Sequence, residues 1–414
     1  MGPLILLLHV EGVMKLIRAV SIVMIVLLSA VLWQWQKISQ VYYAATLFWP
    51  HSIVDNFSNM DRAFNSVKLQ QHQAKPWVYE FEEIASNYQF RESERSVNEF
   101  LERSNTTALI VFHQGKIRFE QYYLGTTAND RRISWSMAKS YLSALFGIAV
   151  AEGHIRSINQ PVTDYVPSLL GTGYQDVTIK QVLQMSSGVA FNEDYGDFFS
   201  DINRFGRTIA FGGTFDDFAT TLDNERVPGT YMHYVSIDTH VLGMVLRAAT
   251  GQTYLDYFEQ KLWSKLGSES NAYYVADDTG EPMVLGGLNM MSRDYLRLGV
   301  AFLNNGKIQG EQVIPVQWIQ ASTIPDAAYL MPGKRENSDH VFGYGYQWWV
   351  PEESEGEFFA WGIYGQFIYI NQNLDTVIVK NSANTQFMDN DFNDPYETIE
   401  MFRGIARDIS KGKK

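Results

Sequence analysis

Strand-forming segments lie at both ends of this chain and are scarce in its middle, an arrangement that limits the folds open to it. Runs rich in β-branched and aromatic residues occur at Ala108 to Val111 and Ile117 to Tyr123, and return at Tyr344 to Val350, Phe367 to Ile370 and Thr376 to Val379. The stretch between them reads mostly as helix and loop. A sheet built from both ends predicts an α+β fold, antiparallel and flanked by helices, with a helical subdomain inserted between its two contributions. A helix through Tyr141 to Val150 and another near Glu397 to Ile409 would cover that sheet. The cleft between the two parts would hold a site. The 414 residues, 46% hydrophobic, supply core enough for one large two-part domain.

The first of those helices opens on Ser136-Met137-Ala138-Lys139. Residues three apart share a helix face, so Lys139 stands one turn above Ser136 and reaches its hydroxyl. A serine hydroxyl is too weak an acid to attack a carbonyl unaided. A lysine buried at an apolar helix start loses its proton near neutral pH and serves as the base. Downstream, Tyr231-Met232-His233-Tyr234-Val235-Ser236-Ile237-Asp238-Thr239 sets Tyr234 on the corner before a second helix, with Ser236 as N-cap and Asp238 in the first turn. Beside a lysine ammonium this phenol is expected to ionise well below its usual pKa of about 10 and to shuttle the serine proton. Near the C-terminus, Phe358 to Ile370 reads as two strands whose Gly362 and Gly365 let backbone approach a ligand. The Ile363 N–H, paired with that of Ser136, is the candidate oxyanion hole.

Order and spacing of these segments carry a resemblance. Ser134-Trp135-Ser136-Met137-Ala138-Lys139-Ser140, Leu183-Gln184-Met185-Ser186-Ser187-Gly188-Val189, Ser236-Ile237-Asp238-Thr239 and Gly362-Ile363-Tyr364-Gly365-Gln366 follow the hairpin Ala108 to Ile117. From about Thr107 to Ser382 the chain resembles the serine β-lactamase and penicillin-binding-protein superfamily, in the class-C-like branch that holds family VIII esterases and 6-aminohexanoate-dimer hydrolase. The resemblance implies a β-lactamase/transpeptidase-like fold and makes Ser136 the nucleophile, Lys139 its base or the group that keeps Tyr234 anionic, and Tyr234 the proton shuttle. Ser236, Trp361, Gly362 and Tyr364 fall beside the substrate. Two departures matter. Ser236 stands where many relatives have asparagine, and Ala360-Trp361-Gly362 aligns with the Lys-Thr-Gly or His-Thr-Gly of β-lactamases. Without that lysine a substrate carboxylate loses its partner, so short neutral esters or amides are expected in preference to β-lactams. Asp278-Thr279-Gly280 echoes the missing motif, but the Glu281-Pro282 that follows suits a turn. The expected activity is hydrolysis of a small ester or amide through a Ser136 acyl-enzyme. A β-lactamase or D-Ala-D-Ala peptidase is the alternative within enzymes, and a catalytically idle wall- or peptide-sensing protein the alternative outside them.

Composition narrows the partners. A net charge of −13 disfavours nucleic acid, which needs clustered Lys and Arg. The absence of cysteine excludes disulfides, a thiolate nucleophile and thiolate metal sites. The histidines, His113, His154, His233 and His240 among them, lack metal-site spacing, so neither metal nor cofactor is expected, and His233 is given a structural role.

The N-terminus bears on location. Ala19 to Trp33 is uncharged and apolar, preceded by Lys15 and Arg18; Leu16 to Trp35 reaches the about 20 residues a bilayer core requires if Arg18 snorkels, with Trp33 and Trp35 at the far interface. No small-x-small cleavage site closes the run, so residues 1–36 are expected to form an uncleaved anchor in the inner membrane with the catalytic part in the periplasm or outside, secretion after cleavage being the alternative. Residues 37–104 read as a connector and lead-in with a short helix at Val97 to Arg103, and 105–414 as the hydrolase domain.

Overall fold

The computed structural model describes the backbone of residues 2–388 and 394–412, and the side chains of these except 2–12, 30–33, 36, 209–211 and 394. Both ends of the chain meet in one antiparallel sheet of seven strands, ordered Gly343–Tyr344, Trp349–Val350, Glu357–Gly362, Gln366–Asn371, Thr376–Ser382, Thr106–His113 and Lys116–Tyr122. At the junction of the two contributions Val379 pairs with Ile110 and Val377 with Phe112. This is the expected α+β fold.

Side chains alternate across a strand, and here both faces are covered. Ile110 and Phe112 join Val377, Val379 and the helix Ser292–Leu303 in the larger core. Leu109 and Val111 join Ile378 and the helices Val97–Arg103 and Asp394–Ser410 in the smaller one. The helix Val97–Arg103 lies where the sequence places it, because the Ser96 hydroxyl caps the Glu99 N–H at 3.3 Å. The helix Ala138–Ala151 is buried on all sides from Ala138 to Ala149, which is why its sequence is apolar all round. Its two serine hydroxyls are satisfied by Ser140 donating to the Gln347 carbonyl and Ser143 to that of Tyr346, both at 2.7 Å.

The middle of the chain is less purely helical than its sequence suggests. Ala272–Val275 and Leu288–Met291 form a second sheet of four strands with Ser66–Leu69 and Arg131–Ile133. These strands are three or four residues long, too short for an alternating pattern to stand out. The segment read as connector is therefore built into the protein. Ser66 pairs with Val275, and Leu47, Ile53, Phe57 and Met60 are buried in the larger core beside Ile133 and Met137. The buried Asn56 amide donates to the carbonyls of Thr46 and Leu47 at 3.0 and 3.1 Å, and Arg132 donates to that of Val54 at 2.9 Å.

The N-terminal segment forms a helix, Gly2–Ala45, whose side chains from Val13 to Ser29 are all exposed. Among the described residues no helix is long and apolar enough to cross a membrane. The side chains of 30–33, part of the apolar run to Trp35, lie outside that description.

Candidate active site

Ser136 sits in the one-turn helix Trp135–Met137 that leads into Ala138–Ala151. The residue before it, Trp135, has φ +43°, a left-handed backbone costing a non-glycine residue of order 1 kcal/mol unless surroundings impose it. The turn aims the hydroxyl out of the helix start, and Lys139, one turn on, donates to Ser136 Oγ at 2.9 Å, to Ser236 Oγ at 3.2 Å and to the Leu285 carbonyl at 2.8 Å. Burial pulls the Lys139 pKa down to about 7 against the pull of Glu193 and Asp238. The pair is thus a hydroxyl against an amine poised near neutrality.

Tyr234 reaches the same centre but not in the expected state. Its ring stacks on Trp349, centroids 5.3 Å apart, and Lys139 Nζ lies 5.3 Å from its ring centre. Its pKa is raised, first by burial and then by the Glu193 carboxylate, with the nearby Ser136 side chain opposing. The expectation of a readily ionised phenol is therefore corrected. The amine beside it is itself half neutral at pH 7, and the formal charge next to it is negative.

Ser236 is not an N-cap either. It is the first residue of the helix Ser236–Thr250 behind Val235, and its side chain turns inward. Its hydroxyl donates to Glu193, and its N–H donates to Glu193 Oε2 at 3.0 Å. Tyr195 donates to Glu193 Oε1 at 2.7 Å. Glu193 was not singled out by sequence. It lies in an irregular loop, and Ser236, the helix residue it holds, stands 43 residues away. The loop is fixed by the Asn203 amide, which donates to the carbonyls of Tyr195 and Asp197 at 3.1 and 2.8 Å. Asp238 accepts from Tyr174 at 2.8 Å, and burial lifts its pKa to about 7.

The strand Glu357–Gly362 brings Ile363 to Ser136 because residue 362 is glycine. A Cβ there would stand 2.6 Å from the Ser134 carbonyl oxygen and 3.0 Å from the Ser136 nitrogen, closer than side chains tolerate. Ile363, Ser136, Ser236 and Tyr364 line one cavity of about 700 Å³. Tyr364, like Trp135, has a positive φ, +60°. Phe48 lies parallel to the Tyr364 ring at 5.4 Å, and Phe57 meets Tyr364 at 5.1 Å and Trp135 at 5.6 Å edge-on. Residues of the supposed connector thus clamp the two strained positions beside Ser136 and Ile363.

Trp361 does not line this cavity. Strand alternation turns its ring to the other face, stacked on Phe367 at 6.2 Å and edge-on to Trp349 at 5.6 Å. It supports the Trp349 on which Tyr234 stacks rather than walling the cavity. Ala360 is buried on the larger-core face. His233 is held between Asp339 and the Phe191 carbonyl. Among the described residues no three acidic or histidine side chains gather as metal ligands.

Comparison with known proteins agrees with this geometry. The Beta-lactamase family model matches residues 94–399. A 6-aminohexanoate-dimer hydrolase of Paenarthrobacter ureafaciens is 31% identical over 291 residues, 68% of this chain and 74% of that protein. A candidate 6-aminohexanoate-dimer hydrolase structure from Bacillus anthracis, 23% identical, superposes with a TM-score of 0.79 over 89% of this chain and 97% of its own. A class C beta-lactamase mutant, 17% identical, does so with a TM-score of 0.55 over 76% and 95%. With a Ser-x-x-Lys pair joined at the head of a buried helix and this match across most of its length, the chain belongs to the beta-lactamase family and is a serine hydrolase of that fold.

Proposed function

We propose that the protein hydrolyses a small neutral ester or amide through an acyl-enzyme on Ser136. The observation that carries this reading is the 2.9 Å bond from a buried Lys139, its pKa near 7, to Ser136 Oγ. Neutral Lys139 takes the hydroxyl proton as Ser136 Oγ bonds to the acyl carbon. The carbonyl oxygen, now negative, lies against the N–H groups of Ser136 and Ile363. Tyr234, protonated, bridges Ser136 and the departing alcohol or amine, giving it a proton as the acyl–leaving-group bond breaks and regaining one from Lys139. Water enters by the reverse relay and releases the acid.

Charge supports a neutral substrate. Glu193 stands at Ser236, and Ala360 is a buried methyl where relatives carry lysine or histidine. A charge-assisted contact is worth about 1.5–3 kcal/mol, so a substrate carboxylate without one loses roughly tenfold or more in affinity. The name of the 31% identical relative supports an amide among the substrates. Nitrocefin is expected to be a poorer substrate than p-nitrophenyl butyrate, and a nitrocefin kcat/KM above that of every neutral ester tried would favour the β-lactamase reading instead.

The location proposed is a membrane one, with residues 1–36 as anchor and the catalytic part outside the cytoplasm. It is supported by the apolar run from Ala19 and by Lys15 and Arg18 before it. The full chain is expected to stay with membranes through an alkaline wash, and removal of residues through Trp35 to release active enzyme. Recovery of the full-length chain in the wash would refute the anchor.

A further inference from the structure

The cavity at Ser136 is larger and drier than a small polar substrate needs. Besides Ser136 and Ile363 it is lined by Ala44, Ala45 and Phe48, at and just after the end of the helix Gly2–Ala45, and by Ile202, Phe205 and Met283. Its volume of about 700 Å³ lies in the range that encloses a drug-sized ligand. Most of the lining is hydrocarbon, and its polar side chains are partly engaged. The Asn203 amide is spent on the Tyr195 and Asp197 carbonyls, and Arg207 donates to the Phe198 carbonyl with its guanidinium 4.3 Å from the Phe198 ring centre. A polar group placed against Ala44, Phe48, Ile202, Phe205 and Met283, away from the Arg207 guanidinium, would give up water without finding a partner, whereas a hydrocarbon chain would not. Phe198, which also lines the cavity, and its neighbour Phe199 are 64% and 83% exposed, so the apolar surface continues outward.

We infer that the cavity is an acyl-chain site and that the preferred substrates are esters or amides of medium- to long-chain fatty acyl groups, the chain lying from Ser136 toward Ala44 and Ile202. The inference rests on the acyl-enzyme reading above and adds chain length to it. It also gives the end of the N-terminal helix a role in substrate selection, since Ala44 and Phe48 form the wall the chain would touch.

The test is kcat/KM for p-nitrophenyl esters from butyrate to decanoate, each below its aggregation concentration, on the full chain and on Ala44→Trp and Ile202→Trp, with fluorophosphonate labelling to show an intact Ser136 in each. Each buried methylene is worth about fourfold, so decanoate is expected to exceed butyrate by about a hundredfold if three or four of its six extra methylenes are buried, and by about a thousandfold or more if all are. Either tryptophan should cut the decanoate-to-butyrate ratio by about tenfold or more. Butyrate turnover that needs Ser136 but does not grow with chain length overturns the inference and leaves the acyl-enzyme reading standing, as does a ratio unchanged in both variants. Failure to turn over any ester, or to label, overturns both.

Discussion

Replacing Ser136 with alanine is expected to abolish fluorophosphonate labelling and to lower ester turnover by roughly four to six orders of magnitude, with the melting temperature almost unchanged. The hydroxyl's partner is Lys139, which keeps Ser236 and the Leu285 carbonyl without it. The turn itself is held by packing, with Phe48 and Phe57 against Trp135 and Tyr364. The loss is therefore chemical and not structural. Labelling of Ser136→Ala at the wild-type rate would remove Ser136 from the mechanism.

The Ser136–Lys139 contact was legible in the sequence because it is local: three residues on a helix decide it. The main sheet was legible for a different reason, since its strands are long and β-rich enough to show at Thr106–His113 and Thr376–Ser382 even though they pair across the chain. Other features were set by contacts that no local pattern records. Glu193 meets Ser236 across 43 positions, and Phe48 meets Tyr364 in a segment that Asn56 closes on itself and Arg132 ties to the core. The state of Tyr234 failed to follow from its neighbours in sequence for the same reason. Its pKa answers to burial and to Glu193, both tertiary. Trp361 was misplaced by one face, an error to which alternation along a strand exposes any residue whose register is inferred from motif alignment alone.

The state of Lys139 gives the other large effect. Its neutral form is the base, so kcat/KM should be present above pH about 7 and fall as pH drops below it. Lys139→Met should remove that limb together with about two to four orders of magnitude of activity, and Tyr234→Phe should cost a comparable factor. Because both groups move the same proton, the double variant should lose little more than the worse single one; additive losses would mean that they act on separate steps. Glu193 supplies a test that a generic loss of structure would not pass. Its carboxylate raises the Lys139 pKa against burial, so Glu193→Gln, which keeps one acceptor oxygen for the Ser236 and Tyr195 hydroxyls but loses the one that takes the Ser236 N–H, should shift the acid limb to lower pH. At pH 6 the fraction of Lys139 in its basic form would then be larger than in the parent. A limb that stays in place, or moves to higher pH, would show that the titrating base is some other group.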